Sequence, residues 1–87
     1  MKVICKYPFK GPTSVMSMPV GAKVLCCQLH GSTVCLWASH TYGEKAVETR
    51  IFQIVGTGHY LSESDTYIAT VQEGPFVWHI YEVTSKE

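Results

Sequence analysis

Apolar and polar positions alternate with a period of two through most of this chain, starting at its first residues. Val3, Cys5, Tyr7 and Phe9 alternate with Lys2, Ile4, Lys6 and Pro8. Successive side chains of an extended backbone point to opposite faces, so residues 2–9 read as a strand with its lysines turned outward. Charge on the open face suits an edge strand, where it discourages pairing with other chains. Lys10-Gly11-Pro12 breaks the pattern, and residues 13–18 form a short second strand stopped by Pro19 and Gly21.

Two hairpins are written into the remainder. Residues 22–29 and 32–39 flank His30-Gly31, and a residue followed by Gly between two strand-like runs marks a tight turn. With those two residues as the loop, Leu25 faces Leu36 and Cys27 faces Val34 on one side, while Val24 faces Trp37 and Cys26 faces Cys35 on the other. Both sides are largely apolar, which predicts a ribbon covered on both faces. Oxidation would then join Cys26 to Cys35 as cross-strand neighbours. At the far end, Glu73-Gly74 joins residues 66–72 to 76–83, and the simplest register sets Val71 opposite Phe76, Ala69 opposite Trp78 and Tyr67 opposite Ile80. The small Ala69 then makes room for Trp78 on one apolar face. The other face, with Ile68, Thr70, Val77, His79 and Tyr81, is mixed.

Between the hairpins, an exposed loop over 41–46 leads into a dense strand, residues 47–55. Phe52 and Ile54 point one way and Ile51 and Val55 the other, the mark of a central strand. It runs into the turn Gly56-Thr57-Gly58-His59, then a polar loop at 62–65, and the chain closes on a polar tail at 84–87. No window holds a helical stripe. The expectation is an all-β single domain, residues 1–87, of six or seven mainly antiparallel strands in a curled sheet, barrel or sandwich.

Composition narrows the function. The chain is 46% hydrophobic and only 16% charged, which is more apolar surface than a domain this small hides easily, so part of it is expected at a homo-oligomer interface. Seven Lys and Arg balance seven Asp and Glu. A net charge of zero lacks the cationic footprint of a duplex nucleic-acid binder but leaves room for a local pocket for one small anion. No apolar run is long enough for a signal peptide or a membrane span, and four cysteines without an export signal read as reduced thiols in a cytosol.

Cys26, Cys27, His30 and Cys35 do not make a metal site by spacing, because adjacent strand residues point to opposite faces. No nucleophile carries a recognisable elbow or dyad around it, so a non-enzymatic protein without cofactor is expected. The turn after the central strand reads two ways. Its glycines let backbone amides approach an anion, with Thr57 and His59 as added donors; equally, the bend is one that needs glycine. Arg50 is the cation expected to be held most rigidly, while Trp37 and Tyr81 are candidates for stacking on a ring.

Pro19-Val20-Gly21-Ala22, Cys35-Leu36-Trp37-Ala38, Gly56-Thr57-Gly58-His59 and Tyr67–Gln72 followed by Phe76-Val77-Trp78-His79 together resemble a family of short, largely uncharacterised proteins of bacteriophages and prophages, grouped under a domain of unknown function. The resemblance runs from the first strand to Glu82, with Ala69 where a Gly is expected. It implies a phage origin and a host cytoplasm. On that origin rests the expected function, counter-defence by a binder that sequesters a nucleotide-type signalling molecule. Gly56, Thr57, Gly58, His59 and Arg50 would take phosphate, and Trp37 or Tyr81 would stack on the base. The alternative is a protein-interaction module that inhibits a host protein or serves as an accessory phage protein.

Overall fold

The computed structural model of the protein describes residues 1–84, so the polar tail expected at 84–87 lies, from Ser85 onward, outside the described residues. The described residues form seven strands: β1 Lys2–Pro8, β2 Thr13–Pro19, β3 Lys23–His30, β4 Thr33–Thr41, β5 Val47–Gly56, β6 Thr66–Glu73 and β7 Phe76–Glu82. They make two antiparallel sheets, one of three strands in the order β1-β4-β3 and one of four in the order β2-β5-β7-β6. One core joins them. Val34, Leu36 and Ala38 of β4 and Cys27 of β3 come from the first sheet, and Met16, Met18, Phe52, Val71 and Ile80 from the second. Phe9, on the connection between β1 and β2, meets Phe52 edge-on at 6.3 Å between centroids. The all-β expectation is met, and of its open architectures the fold is the sandwich.

The alternation read from the sequence is realised strand by strand. Ser14, Met16 and Met18 of β2 are buried while Thr13, Val15 and Ser17 between them are exposed. β1 lies at a sheet edge, as its lysines suggested, and β5 lies between β2 and β7, as its two apolar sides suggested.

Both hairpins, however, sit two residues out of the expected register. In the first, His30 pairs with Thr33, so the loop is Gly31-Ser32 and Cys27 opposes Leu36, Cys26 opposes Trp37 and Cys35 opposes Gln28. In the second, Glu73 pairs with Phe76, so the loop is Gly74-Pro75, Val71 opposes Trp78 and Ala69 opposes Ile80. The cause is shared. Gly31 and Gly74 have φ of 68° and 58°, and among the described residues only glycines have positive φ. A two-residue loop with positive φ at its first position alone is a type II′ turn, which puts Gly first rather than second. A slip of two preserves the faces, so Val71, Ala69, Trp78 and Ile80 still share the core side. The pairs change. Cys26 and Cys35 are diagonal neighbours instead of partners, and Ala69 does not make room for Trp78. A bulge between Val24 and Cys26 turns Leu25 outward, and one between Tyr67 and Ala69 lets Ile68 pack against the core while Tyr67 moves to the outer face. The second face of the β3–β4 ribbon, expected to be covered, is the outer surface of the molecule: Cys35 is buried there, Trp37 half-buried, and Gln28 and His30 exposed.

Candidate functional site

The central strand ends at Gly56, which pairs with Trp78. The His59 amide donates to the Gly56 carbonyl at 3.1 Å, closing a turn whose third residue, Gly58, has φ of 91°. Positive φ at that position alone defines a type II turn and demands glycine. Gly56 is needed for a different reason. A Cβ there would lie 3.2 Å from Cε1 and Nδ1 of the His59 ring and 3.4 Å from Trp78, so the two rings close directly onto the bare backbone.

On the outer side of the four-stranded sheet the turn is tied down by a chain of polar contacts. Thr57 Oγ1 lies 2.9 Å from His79 Nε2, Thr70 Oγ1 lies 3.2 Å from His79 Nδ1, and the Tyr67 hydroxyl lies 2.7 Å from Thr70 Oγ1. Strand register produces this: Thr70 and His79 are direct cross-strand partners, as are Tyr67 and Tyr81, whose rings meet edge-on at 5.5 Å. Neutral imidazole has one donor and one acceptor nitrogen, and a hydroxyl on each side satisfies either tautomer. Thr57, His79, Tyr81 and Leu61 line a shallow hollow here of about 200 Å³.

Toward the interior side, Val34, Ile54, Gly56, His59, Glu73 and Trp78 line a cleft of about 340 Å³ at the end of the sandwich. A neighbouring hollow of about 500 Å³ lies between Thr57, His59, Pro75, Phe76 and Trp78. Phe76 and Trp78 stand two residues apart on β7 and so share a face; their rings stack 5.5 Å apart at 17°. The Trp78 indole N–H donates to Glu73 Oε1 at 3.0 Å, fixing the ring. The three concavities share Gly56 and His59. The surroundings suit a flat apolar ring with one or two polar contacts.

Of the residues selected from the sequence, Gly56, Thr57, Gly58, His59 and Tyr81 are brought together. Arg50 is not. It lies six residues back along β5, donates through Nε and Nη2 to both Glu82 carboxylate oxygens at 2.8 and 2.9 Å, and through Nη1 to the Ala22 carbonyl at 2.6 Å. Its hydrogen bonds to Glu82 push its pKa up further, against burial, and with its fork engaged it is a clamp, not a phosphate ligand. Trp37 lies on the outer face of the other sheet, opposite Lys6 and Cys26. The amide nest is also reduced, since the His59 N–H is used inside the turn.

Sequence reasoning passed over Phe76, Glu73 and His79 at this site and set Trp78 wholly in the core. The two-residue slip explains this, because it carries Phe76 and Trp78 past the end of the apolar face to the mouth of the cleft. A second signal was legible and unread. No carboxylate occurs before Glu44, while four lysines do, and between Ile51 and Thr84 there is no Lys or Arg at all. Overall neutrality hides two oppositely charged halves.

The chain belongs to the family described as Domain of unknown function (DUF7352), which matches it over residues 1–87. No curated protein and no solved structure matches it.

Proposed function

We propose that this protein is a non-enzymatic binder that holds a small planar ligand of nucleotide type at the Gly56-Thr57-Gly58-His59 end of the sandwich. The observation that carries this reading is the meeting of three hollows at Gly56 and His59 beside the stacked rings of Phe76 and Trp78. A base stacks on the open face of such a pair and gains about 1–3 kcal/mol per stacked face. Thr57, His59 and the Glu73 carboxylate supply polar contacts to its edge. With no Lys or Arg along 51–84, recognition rests on the ring more than on phosphate, so affinity changes little with salt. The resemblance to phage-encoded proteins supports sequestration of a defence signal in an infected host's cytoplasm as the setting of this activity.

Calorimetry with cyclic and linear nucleotides tests the reading. A ligand bound with little salt dependence, weakened about tenfold or more by Phe76→Ala, is expected, since Phe76 is 55% exposed and its loss leaves the core alone. Failure to bind any nucleotide, or binding indifferent to Phe76 and His59, overturns it.

A second reading rests on the outer face of the four-stranded sheet, where Val15, Ile51, Val77, Tyr67 and Tyr81 form an uncharged surface on which Val15 is 67% exposed. A surface of this kind fits a second copy or a host protein. Substitutions at Val15, Val77 and Tyr81 that abolish an interaction while Phe76→Ala does not would favour it.

A further inference from the structure

The outer face of the three-stranded sheet is built differently from every other surface of the molecule. Register places Lys2, Ile4 and Lys6 of β1 beside Thr41, Ser39 and Trp37 of β4. On the far side of β4, Lys23 lies beside Ser39 and Cys26 beside Trp37. The half-buried Trp37 thus sits mid-sheet with cations on both flanking strands. His30 joins it, its ring 6.5 Å from that of Trp37 and its Nδ1 2.8 Å from Lys6 Nζ. Among the described residues the one ion pair is Arg50 with Glu82, so none of these lysines has a carboxylate partner there. Most carboxylates of the second half are dispersed and engaged: Glu48 accepts from the Gly21 amide, Glu44 from Ala46, Asp65 from Gln53, Glu73 from Trp78 and Glu82 from Arg50, while Glu63 stands exposed in the 62–65 loop. They form no acidic face, among the described residues, that a second copy could offer to the lysines.

We propose that this face binds single-stranded nucleic acid. Three strands seven to nine residues long present a surface about 25 Å by 10 Å, room for a few nucleotides. Lysines along two strands track the phosphates, and Trp37 and His30 offer rings to unpaired bases. Three lysines are too few to hold a duplex, and paired bases cannot reach a half-buried indole.

The test is fluorescence anisotropy of labelled oligo(dT) and oligo(U) against salt. Neutralising three phosphates of a single strand gives a log–log slope of about −2. Lys6→Ala, an exposed change, flattens that slope by about 0.7, and Trp37→Leu weakens binding about tenfold at unchanged slope. Phe76→Ala leaves oligonucleotide binding intact, so this face and the cleft stand or fall separately. No binding at low salt, a slope near zero, equal affinity for duplex, or indifference to Lys6→Glu each overturns the proposal. So does loss of self-association on Lys6→Glu, which would assign the face to a second copy.

Discussion

Gly56 and Gly58 are two residues apart and are glycine for unrelated reasons, which makes them separable by experiment. At Gly58 nothing lies near a new Cβ, yet φ is 91°, so Gly58→Ala strains the backbone by about 1–2 kcal/mol. In a domain this small that lowers the melting temperature by roughly 5–10 °C. Gly56→Ala has no positive φ to contend with; its methyl displaces the His59 ring, so it is expected to alter ligand binding more than the melting temperature, and calorimetry beside thermal unfolding distinguishes the two. Cys27 offers a second prediction at this scale. Burial first, and then the neighbouring Cys26 and Cys35 thiols, push its pKa up from 9.0 to about 12. The folded state keeps the proton that the unfolded chain releases, so the effect on stability is nil below pH 9. Stability then falls as pH rises from 9 toward 12, by up to about 1.4 kcal/mol per pH unit. Cys27→Val should flatten that fall in denaturant titrations across the range. A thiol held protonated is a poor nucleophile, so Cys27 should also react slowest with thiol reagents at neutral pH.

Strands and their faces were legible because a period of two survives any even slip, and the residues that break it, Pro12, Pro19 and Gly21, lie at strand ends or between strands. Register was not legible, because Gly in a tight loop fits the second position of one turn type and the first of another, and only backbone geometry distinguishes them. Pro75 held the missing clue: Pro has no amide to donate to a ladder and suits the second loop position, where φ is negative. The bulges that free Leu25 and move Tyr67 outward leave no mark in the apolar pattern either. Thiol counting exposes the difference. Cys26 and Cys35 as diagonal neighbours should not pair, so air-exposed protein should return four thiols, and a disulfide between them would restore the register read from the sequence. Contacts between Val71 and Trp78, and between Cys27 and Leu36, should appear in nuclear Overhauser spectra.

At the scale of the whole molecule, Arg50 was expected at a ligand and is found holding the architecture. It sits on β5, reaches Ala22 on the connection that crosses from the four-stranded sheet to the three-stranded one, and grips Glu82 at the end of β7. Both side chains of the pair are 17% exposed. Removing one partner leaves a poorly solvated charge, so Glu82→Ala should cost about 2 kcal/mol in urea titrations. Arg50→Met combined with Glu82→Leu should recover part of that, because neither charge is then stranded. Sequence could not foretell this, since the partners are 28 and 32 residues away and an isolated Arg in an apolar strand reads equally as clamp or ligand. The strand order has a further consequence, for biosynthesis. β7 is the last strand along the described chain, yet it lies between β5 and β6. Until Phe76–Glu82 has left the ribosome, β5 and β6 have no ladder between them and the cleft has no Trp78. A nascent chain, or a message cut short at any codon before these, therefore yields half a sandwich with an apolar face open to chaperones and proteases. Quality control falls on the synthesis of β7, and a pulse-labelled chain should become protease-resistant all at once rather than in stages.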